Sequence, residues 1–216
     1  SQCHEFLGKP EVVHWTFRSP AANRIVPELH VLGHAPRPCQ IQLRADALDL
    51  LPADVESVLE IGCGDGFLTH ALPAHVSVVG VDLRTEALRY VKRPSAVSSV
   101  TDLPFADGQF DLVMANNVLE VLNDDMRSTA IREICRVTRR YVLLTCPHHE
   151  QLESNMVCCG DCDTPYHVHW HQRSFRTEDM LKLLEPDFRG IEVRYTGDSS
   201  RPPFDPGIGL QHLFGI

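Results

Sequence analysis

Three of the chain's eight cysteines and three of its twelve histidines fall in one span, "NMVCCGDCDTPYHVHWHQRSF", Asn155 to Phe175. Thiolates and imidazoles are the ligands of borderline-soft divalent ions, zinc above all. Cys159 and Cys162 form C-x2-C, a tight knuckle that aims two sulfurs at one ion. His167 and His171 follow at a spacing that completes a tetrahedral shell, with Cys158 and His169 as competing ligands. Four protein ligands leave no open position, so this set implies a structural zinc. Were the segment a strand, His167, His169 and His171 would share one face, which suits a catalytic or substrate-binding metal with three protein ligands. A plain surface loop is the bland alternative. It sits badly with so many oxidation-prone thiols in one place.

A second group is built for a different ligand. "VLEIGCGDG" carries Glu60, Gly62, Gly64 and Gly66. Glycines directly after an apolar strand let the chain turn sharply and bring its backbone against a ligand. The spacing is G-x-G-x-G, not the G-x-G-x-x-G of dinucleotide folds. Asp82 ends "VVGVD", where a carboxylate beside the glycine loop can accept both hydroxyls of a ribose. Asp102, in "VTDLPF", is expected at the end of a third strand, within reach of an adenine amino group. His148 and His149 follow the strand "RYVLLTCP" at the edge where α/β sheets bind ligands, so either is a candidate general base. An exposed loop histidine is as good a reading of each. His4, His14, His30 and His34 are candidate caps on a pocket, although most such residues lie at the surface. Trp15, Phe17 and Trp170 read as packing residues.

These groups need elements to hold them. "SVLEIG", "VSVVGVDL", "SAVSSV", "FDLVMANNVL" and "RYVLLTCP" read as strands. "IQLRADALDLLP" reads as a helix stopped at Pro52, and "DGFLTHAL", "RTEALRYVKR", "DDMRSTAIREICRVT" and "TEDMLKLLE" as further helices, the last with Thr177 as N-cap. In the third of these, Ile131, Ile134 and Val137 form an apolar stripe. "GIEVRYTG" and "GIGLQHLFGI" read as two closing strands without a helix between them, so one must run antiparallel. Alternating strands and helices with near-continuous apolar runs predict a parallel sheet covered on both faces.

In its glycine loop, "VVGVDL" and "TDLPFADGQFDLVMANNVLEVL" the chain resembles the class I S-adenosylmethionine (SAM)-dependent methyltransferases, in their small-molecule, type-11-like branch. The resemblance covers roughly residues 55–146 and, more loosely, the closing helix and strand pair. It implies a Rossmann-like α/β fold: a seven-stranded, mostly parallel sheet with helices on both faces and an antiparallel last strand. It also implies roles. Gly62, Cys63 and Gly64 would lie along the methionine part of SAM, and Gly66 would complete the loop. Glu60 would order the loop and reach the methionine amine through water. Asp82 would hold the ribose, Leu83 would pack on the adenine, and Asp102 and Leu103 would meet the adenine edge. Asn116 and Asn117 would face the reactive methyl. Many relatives read "LEHL" where this chain has "LEVL", with Val121 in place of histidine. Methyltransferases with inserts of the form C-x2-C…H-x3-H-x-R-S-F look similar at the second group, and favour Cys159, Cys162, His167 and His171 as the zinc ligands.

The totals narrow the partners. The chain has 216 residues and a formal net charge of −9, with 43% hydrophobic and 23% charged residues. That length suits one domain, here residues 41–216, with an irregular lead-in or cap at 1–40 and a metal-binding insert at about 147–174. Nucleic-acid binding draws most of its affinity from phosphate neutralisation, so an acidic chain argues against DNA or RNA as partner. No run of about 18 apolar residues exists to span a membrane. The N-terminus shows no signal pattern, and the thiols read as reduced, in a cytoplasm. The expected function is methyl transfer from SAM to a small molecule, a metabolite or natural-product intermediate. The alternatives are a zinc-stabilised binding protein that keeps the fold, and an enzyme that uses the metal in catalysis. The acceptor and the oligomeric state are not legible.

Overall fold

The computed structural model describes residues 16–19, 24–27, 38–184, 188–195 and 210–215. Strands β3 (Ser57–Ile61), β4 (Ser77–Asp82), β5 (Ser95–Val97), β6 (Phe110–Asn116) and β7 (Thr138–Cys146) form the parallel part of the main sheet, in the order β7-β6-β3-β4-β5. An antiparallel pair, β10 (Arg189–Tyr195) and β11 (Leu210–Gly215), joins it through β11, which runs antiparallel to β7. The fully parallel run is thus five strands, and the closing antiparallel pair is added at its β7 edge. The last strand, β11, runs antiparallel to both of its neighbours, β10 and β7. Two small hairpins stand apart: β1 (Thr16–Ser19) with β2 (Arg24–Pro27), and β8 (Met156–Cys158) with β9 (Pro165–His167).

The period-2 alternation of the central strands divides the core in two. Val58, Val78, Leu112, Met114 and Leu143 face one side, where α1 (Pro38–Asp49) contributes Ala47 and the loop after β3 contributes Leu68 and Leu72. Leu59, Ile61, Val81, Val113, Ala115, Val142 and Leu144 face the other. There they meet Ile131, Ile134 and Val137 of α3 (Asp124–Val137) and Met180 and Leu184 of α4 (Thr177–Leu184). The stripe read from the sequence is therefore the buried face of α3. Asn123 caps that helix, accepting the N–H of Met126 at 2.8 Å.

Several local expectations change. "DGFLTHAL" forms successive turns, not a helix, held by single bonds such as His70 N–H to Gly66 O at 2.9 Å. The helix in "RTEALRYVKR" is only α2, Thr85–Leu88. β5 ends at Val97, so Asp102 lies beyond its strand, in a turn bridged to Ser99. Thr177 is the first residue of α4 rather than its cap, and its hydroxyl lies 3.2 Å from His148 Nε2. The lead-in contains the β1–β2 hairpin. The suggested pocket caps His4, His14, His30 and His34, with Trp15, lie outside the described residues. Among the described residues no helix is long and apolar enough to cross a membrane.

Candidate functional site

Parallel strands bring their carboxyl ends to one edge. The chain leaves β3 towards β4 and β5 on one side and returns to β6 and β7 on the other, so the crevice where the order reverses lies between β3 and β6. The glycine loop fills one wall. Gly62, Gly64 and Gly66 have φ of +69°, +55° and +82°, a region glycine enters without strain. A Cβ at Gly62 would stand 2.7 Å from Val118 Cγ2, so the turn after β6 presses directly on the loop.

Asp82 fastens the loop from the side. Its Oδ2 accepts the N–H of Gly64 and its Oδ1 the N–H of Arg84, both at 2.9 Å. A carboxylate has about four lone-pair sites, so two remain for a ligand's hydroxyls. Leu83, next along, is 55% exposed, an apolar side chain left in the open beside that acid. Asp102 is exposed, while Leu103 is buried and donates its N–H to Glu133 Oε2 at 2.8 Å. Arg136 anchors the same turn through the carbonyls of Leu103 at 2.9 Å and Phe105 at 2.6 Å.

Glu60 points under the loop, where the Thr69 hydroxyl donates to its Oε2. It is buried, and desolvation raises its pKa to about 7 against the lowering effect of Thr69. Cys63 is a packing thiol. Burial pushes its pKa up to about 12, and Gly80 gives it room, because a Cβ there would stand 2.8 Å from its Sγ. At the other wall, Asn116 Oδ1 accepts from Thr145 Oγ1 at 3.3 Å, and Asn116 Nδ2 is buried with no hydrogen-bond partner among the described residues. Asn117, exposed with φ +52°, donates its N–H to Thr145 O at 3.0 Å.

The insert divides the residues expected to share one ion. β9 ends at His167 and a turn follows, so His169 does not continue a strand. His167 and His171 stack at 4.7 Å between ring centroids. His171 Nδ1 lies 2.5 Å from Glu150 Oε2, and His167 Nε2 lies 3.3 Å from Glu150 Oε1. Cys159 and Cys162 lie at the other end of the β8–β9 hairpin. Met156 pairs with His167 at its base, while Cys159 N–H donates to Thr164 O across its tip. Three strand positions separate Cys159 from Met156, about 10 Å. The ligand-bearing atoms that converge among the described residues are those of Glu150, His167 and His171, all within 4.8 Å of one another; neither cysteine joins them. The structure thus brings His167 and His171 together with Glu150 rather than with Cys159 and Cys162, because antiparallel pairing sends the two ends of the C-x2-C…H segment apart. Sequence reasoning missed Glu150, beside the His148–His149 pair, and Glu120, a lone acid in the apolar run "NNVLEVL".

His148 forms a parallel bridge with Phe175 and an edge contact with His149 at 4.5 Å between centroids. Burial, and then His149, lower its pKa. His149 is exposed, with φ +54°, and its N–H donates to Phe175 O at 2.9 Å.

Residues 59–146 match a family model described as Methyltransferase domain. That span runs from β3, which feeds the glycine loop, to the end of β7. The chain is 30% identical over 127 residues to an uncharacterized methyltransferase of Schizosaccharomyces pombe, covering 50% of this chain and 40% of the relative. It is 31% identical over 85 residues to a malonyl-[acyl-carrier protein] O-methyltransferase of Legionella pneumophila, covering 34% of this chain and 30% of that protein. It therefore spans less than half the length of these curated relatives. A solved SAM-dependent methyltransferase from Methanosarcina mazei superposes with a TM-score of 0.59 at 19% identity, over 79% of this chain and 96% of that one. The fold is Rossmann-like, of the methyltransferase kind.

Proposed function

We propose that the chain is a SAM-dependent methyltransferase acting on a small molecule. The observation that carries this reading is the loop at the β3–β6 crevice, with Asp82 bonded to the Gly64 amide and Leu83 exposed beside it. These residues fit SAM. Backbone at Gly62, Cys63 and Gly64 would follow the methionine part, with Gly66 shaping the turn and Glu60 beneath it. Asp82 would take the ribose, Leu83 the adenine face, and Asp102 and Leu103 its edge. The orphaned Nδ2 of Asn116 supports a polar group of donor or acceptor lying there. SAM supplies an electrophilic methyl on a sulfonium. The protein's part is alignment and exclusion of water, so a dedicated base is needed only for an acceptor of high pKa. His149, the exposed member of its pair, is the better placed candidate for that role; His148 is engaged at the start of α4.

A small acceptor accords with the net charge of −9. It also accords with the Legionella relative, whose name specifies a malonyl group on a carrier protein. The reading places the chain in the cytoplasm, in keeping with Cys63, Cys135, Cys146, Cys158, Cys159 and Cys162, none of them in a disulfide. It keeps a structural, zinc-like ion in the insert, with ligands drawn from the His167–His171 side rather than from the hairpin tip. The second reading, a metal-stabilised binding protein on this fold, differs in turnover.

Calorimetry with SAM, followed by incubation of the chain and labelled SAM with a metabolite extract, tests both. Binding and transfer of label to a small molecule are expected. No SAM binding would reject the cofactor reading. Label on bulk RNA or DNA alone would reject the acceptor class, and binding without any transfer would favour the second reading.

A further inference from the structure

Glu120 stands on the 3-10 turn Leu119–Val121, directly after β6, and is 0% exposed. Neither of its oxygens has a hydrogen-bond partner among the described residues. A buried, unsolvated carboxylate is costly unless something positive completes it. Its Oε1 lies 4.0 Å from His171 Nε2, and the other ring nitrogen of His171 lies 2.5 Å from Glu150 Oε2. Glu150 Oε1 in turn faces His167 Nε2, a buried nitrogen also without a hydrogen-bond partner among the described residues. Ligand atoms of Glu150, on the loop after β7, and of His167 and His171, at the two ends of the turn that follows β9, lie within 4.8 Å of one another, and Glu120, on the turn after β6, faces the other ring nitrogen of His171.

The geometry points to a site for one first-row divalent cation, of the zinc or manganese class, held by Glu150, His167 and His171, with Glu120 as the buried counter-charge behind His171. This deepens the metal part of the proposed function and does not depend on methyl transfer. Two carboxylates balance a double positive charge, whereas a single histidinium would leave one carboxylate uncompensated. Two imidazoles select a first-row metal over calcium or magnesium. Ligand atoms around one ion at about 2.1 Å stand roughly 3–4 Å apart, so the spacing within 4.8 Å among Glu150, His167 and His171 needs only a small closure. His167 must give something up. Its Nδ1 accepts the N–H groups of His169 and His171, both at 3.2 Å. Ligation through Nε2 moves the ring proton to Nδ1 and forfeits those two long contacts.

The site has a mechanical sense. Gln172 N–H donates to Glu120 O at 2.7 Å, and Gln172 Nε2 donates to Val121 O at 3.1 Å, so the insert already docks on the turn that carries Glu120. Two residues before Glu120, Val118 presses on Gly62. The cation would lock the insert to the one segment that also forms a wall of the glycine-loop crevice.

The test uses the full chain stripped with a chelator and titrated separately with zinc chloride and manganese chloride, read by calorimetry, by elemental analysis after gel filtration, and by melting temperature. One ion per chain and a metal-dependent rise in melting temperature are expected. Glu120→Gln keeps the shape and removes the unpaired charge. It should weaken metal binding at least tenfold while leaving the stripped chain as stable as the parent or more so. His171→Ala should weaken binding likewise, and the double variant Cys159→Ser, Cys162→Ser should retain it. Failure of both metals to bind would overturn the site. So would loss of binding in the cysteine variant with retention in Glu120→Gln and His171→Ala. SAM binding, measured on the same samples, reports the cofactor reading separately.

Discussion

At the scale of single residues, two buried acids frame the glycine loop. Asp82 accepts two backbone amides and has lone pairs left over. Asp82→Ala should weaken SAM binding by about 1.5–3 kcal/mol, the range of charge-assisted hydrogen bonds lost with their partner left in place. Unchanged affinity by calorimetry would refute its role. Glu60 has no such outlet, and burial raises its pKa to about 7. A carboxyl whose folded pKa lies above its unfolded value binds protons more tightly when folded. Its stabilising contribution is complete below the unfolded pKa and is lost as pH rises to about 7. Burial raises Glu120 to about 7 as well, so the ligand-free chain should lose stability between about pH 4.5 and 7 through both acids, and Glu60→Gln should reduce that slope in denaturant titrations. An equally steep slope in the variant would place the buried proton elsewhere.

Among the elements, the least regular segments depend most on long-range anchors. The turn carrying Asp102 and Leu103 follows a strand of only three residues and has no helix of its own. It is held by α3, through Arg136 to the Leu103 and Phe105 carbonyls and through Glu133 to the Leu103 amide. Arg136→Ala should lower stability by about 1–3 kcal/mol, since two charged donors leave carbonyls unpaired. On the proposed reading it should also weaken SAM binding, because the adenine edge loses its support. Chemical unfolding of parent and variant measures the first effect. A change below about 0.5 kcal/mol would show that the turn holds itself.

Over the whole molecule, the sheet separates two cores among the described residues, and the crevice opens where the strand order reverses. A ligand that bridges β3, β4 and β6 ties both halves. Saturation with SAM at about 100 times its Kd adds about 2.7 kcal/mol. For a chain of this size that is a rise of about 5–11 °C in melting temperature. A thermal scan with and without SAM reads it directly, and a null shift would reject the bridging pose. On the proposed reading the insert takes a divalent ion instead, so ion and SAM should each raise the melting temperature.

What the sequence determined by itself was whatever depends on local pattern. Apolar runs ending in glycines marked β3 and its loop, Asp82 at a strand end marked the ligand edge, and the period of Ile131, Ile134 and Val137 marked the buried face of α3. Each follows from residue type and spacing within about a dozen positions. What only the tertiary structure decided was which distant side chains share a point. The C-x2-C and H-x3-H spacings look like one zinc site on paper, yet pairing of β8 with β9 carries the cysteines to the hairpin tip and leaves the histidines at its base. Their neighbours there, Glu150 and Glu120, come from loops after two different parallel strands, 30 residues apart in sequence. Its apolar neighbours in "NNVLEVL" are the one local sign that Glu120 is not an ordinary surface acid. It joins the candidate site only because the sheet brings the carboxyl ends of β6 and β7 side by side, and the insert then closes over it and shuts out water.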